Sequence, residues 1–100
     1  MDHGRLEPVH PGEILKEDFL IPYGITPYRL AKDLGIPPIQ VTEIVKSRRA
    51  VSVETALLLG RYFGTSPGLW IRLQAQYDLE TAEPTIRERV KAIKPFKAGA

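Results

Sequence analysis

Residues 26–46 read TPYRLAKDLGIPPIQVTEIVK, two short helical patterns separated by a glycine and two prolines. Thr26 is a favourable N-cap, and Pro27 suits the first position of a helix. Gly35 lacks a Cβ and therefore ends a helix in the left-handed conformation with little strain. Pro38 suits the first position of the next helix. The stretch predicts a helix, a tight turn and a second helix.

The apolar residues of this stretch fit a helix-turn-helix. Ala31 is small where the two helices must cross, and Gly35 permits the turn. Ile36, Val41 and Ile44 are placed to hold the second helix against the first. The pattern favours a helix-turn-helix over an ordinary helical hairpin, which is the alternative reading.

Helical signals dominate the rest of the chain, so we expect an all-α protein with one domain over residues 1–100. The first helix is expected over 13–21, and Ser52 and Ser66 are expected to cap the fourth and fifth. Thr85 is expected to open a sixth helix that ends before Pro95. The residues expected to face inward are Ile14, Leu15, Phe19, Leu20, Leu30, Ala31, Leu34, Val41, Ile44, Val45, Ala56, Leu57, Gly60, Phe63, Leu69, Trp70, Leu73, Tyr77, Ile86, Val90 and Ile93.

The composition is that of an ordinary globular protein, with 43% hydrophobic residues, 26% charged residues and a net charge of +2. No apolar run approaches the roughly 20 residues of a membrane span. The chain has no cysteine, which excludes disulfides and thiolate chemistry and fits a cytoplasmic protein. Residues 25–72 carry seven basic and three acidic groups, and 84–100 carry five basic and one acidic group. These blocks suit a phosphate-facing patch, although solvated helix faces would give the same charges.

The exposed side of the third helix is the candidate for reading DNA. At ~100° per residue, Ile39, Thr42, Glu43 and Lys46 lie opposite the inward stripe, where a docked helix-turn-helix faces the major groove. Thr42 and Ile39 suit a thymine methyl, and Glu43 suits cytosine N4. The alternative is an ordinary solvated face.

Basic residues at the end of that helix are candidates for phosphate contact. Lys46, Arg48 and Arg49 cluster there, and Tyr28 and Arg29 lie in the first turn of the second helix. The full set of candidate DNA-contacting residues is Thr26, Tyr28, Arg29, Pro38, Ile39, Gln40, Thr42, Glu43, Lys46, Arg48 and Arg49.

Catalytic and metal chemistry find no support. His3 and His10 have no third ligand at a suitable spacing, so we interpret both as flexible surface histidines. Ser47, Ser52 and Ser66 resemble helix-terminus residues rather than nucleophiles, because no histidine lies at a partner position. We expect neither an enzyme nor a bound cofactor or metal.

Several segments, in unbroken order from about residue 8 to residue 82, resemble the HigA family of antitoxins (VapI-like), within the Xre or lambda-repressor-like helix-turn-helix group. The segments are His10–Leu15 (HPGEIL), Leu30–Pro38 (LAKDLGIPP), Glu43–Val45 (EIV), Thr55–Leu59 (TALLL), Tyr62–Trp70 (YFGTSPGLW), Leu73–Gln74 (LQ) and Tyr77–Leu79 (YDL).

The resemblance implies a five-helix repressor-like core over about 8–82, here followed by a basic C-terminal helix and tail over 83–100. It also implies a homodimer, a palindromic double-stranded operator upstream of its own operon, and a RelE-like toxin partner that cleaves messenger RNA. Such a protein is cytoplasmic, and nucleoid-associated when bound to its operator. The chain departs from the family at Ile39 and Gln40, where arginine or another polar residue is frequent, and at Ser47, where glycine is common.

Two alternatives remain beside the antitoxin reading. One is a solitary transcriptional regulator without a toxin. The other is a protein-interaction module that has lost DNA binding, which Glu43 and the lack of basic groups at Ile39 and Gln40 favour. The concentration of Lys46 and its neighbouring arginines argues against the second alternative.

Overall fold

The computed structural model describes residues 7–97, which fold into helices without a strand. The first helix, α1, covers 11–23 in three continuous parts. These parts are the α-helical turn Pro11–Ile14, the π-helical stretch Leu15–Leu20 and the α-helical turn Ile21–Tyr23. The later helices are α2 (Pro27–Leu34), α3 (Pro38–Val45), α4 (Val53–Phe63) and α5 (Pro67–Lys91).

Helix α1 extends beyond the expected range 13–21 at both ends. His10 caps its N-terminus, since ring nitrogen Nδ1 accepts a hydrogen bond of 2.8 Å from the Gly12 N–H. Near its C-terminus the helix includes Pro22, whose ring in a regular α-helix clashes with the carbonyl four residues earlier. The π-helical stretch that precedes Pro22 widens these turns and lets the helix continue.

The predicted starts of α2, α4 and α5 are confirmed. The side chains of Thr26, Ser52 and Ser66 each accept a hydrogen bond from the backbone N–H three residues later. Each hydroxyl therefore satisfies one of the N–H groups that a helix start leaves without a partner.

The predicted sixth helix is wrong as a separate element, because α5 runs without interruption through Pro84 to Lys91. Thr85 does not open a helix; its hydroxyl donates to the Ala82 carbonyl at 2.7 Å. Every described residue from 78 to 97 is exposed. Water can therefore solvate the carbonyl that Pro84 leaves without a partner, and the proline is tolerated inside the helix.

The core lies between α1, α2, α3, α4 and the first half of α5. Trp70 is confirmed at its centre, with 0% of its surface exposed. Its indole N–H donates to the Thr65 hydroxyl at 2.8 Å, and its ring centroid lies 5.3 Å from that of Phe19. The buried apolar residues are Leu15, Leu20, Leu30, Ala31, Val41, Ile44, Val51, Ala56, Leu59 and Trp70.

Four residues expected to face inward are exposed instead. Leu57 lies on the solvent side of α4, Ile86 and Val90 lie on the C-terminal half of α5, and Ile93 follows the end of α5. Within residues 7–97 no other helix covers that half of α5, so its apolar residues have no core to enter.

Gly12 allows the start of α1 to touch the end of α3. A Cβ at Gly12 would lie 1.7 Å from the carbonyl oxygen of Ile44, inside any van der Waals distance. The obstacle is the backbone of α3, so it cannot rotate aside as a side chain would.

We expect Gly12→Ala to lower the free energy of unfolding by about 1–3 kcal/mol or more, because α1 must move away from α3. Urea unfolding followed by circular dichroism measures this change. Gly68→Ala is the matched control, since its Cβ would meet only the flexible end of the Arg72 side chain. Equal stability of Gly12→Ala and the wild-type protein would contradict the close contact.

Candidate nucleic-acid interface

The turn between α2 and α3 has the predicted geometry. Gly35 adopts φ 75°, in the left-handed region. The N–H groups of Gly35 and Ile36 donate to the Ala31 carbonyl at 2.9 and 3.0 Å. Ala31, Val41 and Ile44 are buried, so α3 is fixed against α2 by its inward side.

The opposite side of α3 presents the residues proposed to read DNA. Pro38, Ile39 and Lys46 are exposed, and Thr42 and Glu43 are half-buried. The Thr42 hydroxyl donates to the Ile39 carbonyl at 3.0 Å, which leaves its methyl group and oxygen lone pairs for a ligand.

Gln40 differs from its predicted neighbours, because its side chain is directed towards α4. Its amide nitrogen donates to the Thr55 hydroxyl oxygen at 3.2 Å, and Thr55 is itself buried. The contact ties α3 to the start of α4. It makes Gln40 a weaker candidate for base contact than Ile39 or Thr42.

Glu43 and Arg49 form an ion pair across the end of α3. Both Nε and a terminal guanidinium nitrogen of Arg49 donate to the same Glu43 carboxylate oxygen, at 3.0 and 2.7 Å. The Arg49 side chain is 45% exposed and the Glu43 side chain is 36% exposed. The pair offsets the negative charge that Glu43 would otherwise present to a phosphate backbone.

Helix α3 ends in a Schellman motif that orients Arg48. Ser47 adopts φ 62°, a left-handed conformation that is uncommon for a residue with a Cβ. The Ser47 N–H donates to the Ile44 carbonyl at 2.9 Å, and the Arg48 N–H donates to the Glu43 carbonyl at 2.8 Å. Lys46 and Arg48 are exposed and form no ion pair with any residue in 7–97.

The start of α2 carries a second polar group. Tyr28 is exposed, and the Arg29 guanidinium lies 3.4 Å from the Asp33 carboxylate one turn later. The Tyr62 hydroxyl of α4 donates to the same carboxylate oxygen of Asp33 at 2.5 Å. This hydrogen bond, with a smaller contribution from Arg29, lowers the pKa of Asp33. The same hydrogen bond raises the pKa of Tyr62, which Arg29 opposes. Arg29 is therefore oriented by a carboxylate that α4 holds in place.

His10 and Gln74 contact the segment 46–52, which we call the basic loop. The His10 ring lies close to the backbone of Arg49. The Val51 N–H donates to the side-chain oxygen of Gln74 at 2.8 Å, and the Gln74 amide nitrogen donates to Asp78 at 2.9 Å. Both residues are buried, and sequence reasoning assigned neither of them a role in the site.

The interpretation of His10 as a flexible surface residue is wrong, because only 2% of its surface is exposed. Its ring packs edge-on against Tyr77 of α5 with 4.8 Å between centroids. The order His10-Pro11-Gly12-Glu13 carries a signal for this role: a proline at the first helical position and a glutamate at the third are typical of a capping box. His3 lies outside the described residues.

Other site chemistry is absent from the part of the chain that the structure describes. It holds no group of three histidine or carboxylate side chains able to bind a metal. Ser52 and Ser66 are helix caps and Ser47 ends α3, which confirms their interpretation as helix-terminus residues. Among residues 7–97, no helix combines the length and apolarity needed to cross a bilayer.

Comparison with known proteins identifies relatives of this chain. The sequence model of the helix-turn-helix family matches residues 15–70. Virulence-associated protein I of Dichelobacter nodosus is 40% identical, over 92% of this chain and 84% of its own length. Antitoxin HigA-1 of Vibrio cholerae is 32% identical, over 92% of this chain and 87% of its own. The structure of Pseudomonas aeruginosa antitoxin HigA with the higBA promoter superimposes with a TM-score of 0.87 and 39% identity, covering 91% of this chain and 100% of that one.

Fold and site together define a helix-turn-helix DNA-binding protein rather than an enzyme. Within that class, the chain belongs to the HigA family of antitoxins. The family resemblance and the all-α, five-helix fold predicted from it are confirmed.

The buried His10 predicts a pH dependence of stability. Burial lowers the pKa of His10 below 6.5, against the opposing effects of Glu13, Asp78 and the nearby Arg49 backbone. The folded state therefore binds this proton less readily than the unfolded chain. The contribution of neutral His10 to the free energy of unfolding is complete above about pH 6.5 and is lost as the pH falls through the folded-state pKa.

Urea unfolding of the wild-type protein and His10→Asn at about pH 7.5 and pH 5.5 measures this contribution. We expect the wild-type protein to lose stability relative to His10→Asn on acidification, because asparagine caps a helix without titrating. A stability difference that is the same at both pH values would contradict a buried neutral His10.

Proposed function

We propose that this protein is a sequence-specific transcriptional repressor that binds an operator upstream of its own coding sequence and serves as the antitoxin of a toxin–antitoxin pair. One observation carries the DNA-binding part: Lys46 and Arg48 are exposed, without an ion pair to residues 7–97, at the end of the outward side of α3. The structure of the Pseudomonas aeruginosa antitoxin HigA with the higBA promoter supports DNA binding by this chain.

We assign the phosphate contacts and the base contacts to different residues. Basic groups after α3 suit the phosphates on either side of a groove, where they position the protein without reading sequence. Ile39 and Thr42 suit thymine methyl groups, and Glu43 suits the amino group of cytosine. The ion pair with Arg49 reduces the repulsion between Glu43 and phosphate, which weakens the case for a module that has lost DNA binding.

Arg48→Ala should weaken binding to every duplex alike and lower the slope of log K against log salt by about one unit. Thr42→Ala should cost about 1–3 kcal/mol on the operator and little on a scrambled duplex. Glu43→Gln should tighten binding to the scrambled duplex, because it removes a negative charge and releases Arg49, and should weaken binding to the operator.

Gel shifts on duplexes from the upstream region and on scrambled duplexes, at two salt concentrations, measure these effects. Arg61→Ala is the matched control: Arg61 is an exposed arginine in the last turn of α4, at the far end of that helix from the basic loop. If Glu43→Gln tightened both duplexes equally, Glu43 would not contact a base.

We also propose a homodimer joined through α5. Leu79, Ile86 and Val90 are exposed along one side of α5, and Ile93 is exposed just after its end. We call these four residues the apolar stripe. Their spacing of three, four and seven residues is typical of helices that pack side by side along their length. A second copy of α5 is the occupant that this stripe fits, since a twofold dimer also places two recognition helices on a palindromic operator.

Sedimentation at micromolar concentration in moderate salt should therefore give the mass of a dimer. Val90→Arg should shift the protein towards the monomer, because it places a charge in the apolar contact. Glu88→Arg is the matched control, since residue 88 lies about 200° around the helix from residue 90. A monomeric wild-type protein would contradict the proposed dimer.

The toxin is the part of the function that rests on family alone. The name of the Vibrio cholerae relative supports an antitoxin role, and the family resemblance implies a RelE-like toxin that cleaves messenger RNA. Co-expression distinguishes an antitoxin from a solitary cytoplasmic regulator. Co-purification of a small basic protein encoded beside this chain would indicate an antitoxin.

A further inference from the structure

The basic loop leaves the end of α3 and must return to α4 while presenting its charged side chains outward. Its residues Arg48, Arg49 and Ala50 are exposed. Loops are generally more mobile than the helices that they connect, and a mobile arginine loses conformational entropy when it binds a phosphate. An interface built on such a loop therefore gains affinity when the rest of the fold holds its backbone still.

Two buried polar side chains reach this loop from outside the helix-turn-helix. The ring of His10 lies close to the backbone of Arg49, and the side-chain oxygen of Gln74 accepts from the Val51 N–H at 2.8 Å. The first residue precedes α1 and the second belongs to α5. Elements that are remote from the loop in sequence therefore contact it at two nearby points.

Each of these side chains is itself fixed. His10 Nδ1 accepts from the Gly12 N–H at 2.8 Å, and its ring lies against Tyr77. The Gln74 amide nitrogen donates to Asp78 at 2.9 Å. The hydrogen bond to Gly12 and the edge-on contact with Tyr77 together determine the orientation of the His10 ring.

We infer that His10 and Gln74 are positioning residues for DNA binding, which hold the backbone of the basic loop so that Arg48 and Arg49 meet the phosphates with little loss of freedom. The inference rests on the proposed DNA-binding function and adds two residues to it that do not touch DNA. It also makes α5 part of the DNA-binding apparatus, because Gln74, Tyr77 and Asp78 all belong to that helix.

Two variants test the inference. His10→Asn retains a strong N-cap for α1 but has no ring to reach the Arg49 backbone and Tyr77. Gln74→Met keeps the length of the side chain and removes the oxygen that accepts from Val51. Ser66→Ala is the matched control for a general loss of stability, because it removes the N-cap of α5 at the end of α4 remote from the basic loop.

Binding is measured by fluorescence anisotropy, with a duplex from the region upstream of the coding sequence and with a scrambled duplex. Several salt concentrations are used, at a temperature where circular dichroism shows all variants folded. We expect His10→Asn and Gln74→Met to weaken operator binding about tenfold and to lower the salt slope by about one to two units, since two arginines lose their fixed positions. Ser66→Ala should change neither quantity, because the variant is folded at that temperature and its contacts with the basic loop are those of the wild-type protein.

Hydrogen exchange provides an independent measurement that does not require DNA. We expect amide exchange over residues 46–51 to accelerate in both variants, and the amides of α4 to keep their protection. Gln74→Met is the more disruptive change, and if it does not fold, His10→Asn alone decides the test.

If the wild-type protein prefers the upstream duplex but the folded variants bind with wild-type affinity and salt slope, the inference is overturned and the proposed function stands. A wild-type protein without that preference would overturn the proposed function, and this inference with it.

Discussion

The arrangement of the DNA-binding side depends on one backbone contact, between Gly12 at the start of α1 and the carbonyl of Ile44 near the end of α3. It sets how closely the first helix approaches the proposed recognition helix. The Gly12 N–H also donates to the His10 ring. The N-cap of α1, Gly12 and the end of α3 are therefore in direct contact with one another. Because Ile44 is buried and the basic loop begins two residues later, the direction in which the loop leaves α3 follows from this contact.

The elements that the sequence predicted correctly are those that local chemistry determines. The Thr26 hydroxyl accepts a hydrogen bond from the N–H three residues later. Gly35 ends α2 because glycine adopts a positive φ without strain. The separate sixth helix was wrong for a related reason. Pro84 and Thr85 are strong local signals for a helix boundary, but a boundary follows only if the carbonyl freed by the proline cannot be solvated. That half of α5 is exposed, so Pro84 and Thr85 do not end the helix. For the same reason, the core to which Ile86 and its neighbours were assigned does not extend to them.

The site was predicted less completely than the fold, and what was missed involves distant parts of the chain. Helical spacing alone identifies the outward side of α3, including Ile39 and Thr42. Spacing does not show that Gln40 turns to Thr55 fifteen residues later, or that Val51 bonds to Gln74 across twenty-three. These contacts depend on how α4 and α5 pack against α3, which no local pattern describes. His10 is intermediate, because its capping box is a local signal whereas its contacts with Arg49 and Tyr77 are not.

The Glu43 carboxylate on α3 is compatible with DNA binding because its ion pair with Arg49 is weak. Glu43 and Arg49 are both more than a third exposed, and an exposed ion pair contributes only about 0–1 kcal/mol. Such a pair keeps the guanidinium beside α3 in the free protein and opposes its release only weakly. Counterion release on contact with a phosphate exceeds this small energy. Arg49 can therefore exchange Glu43 for the DNA backbone at little cost, and the carboxylate that it leaves is then available to accept a hydrogen bond from a cytosine.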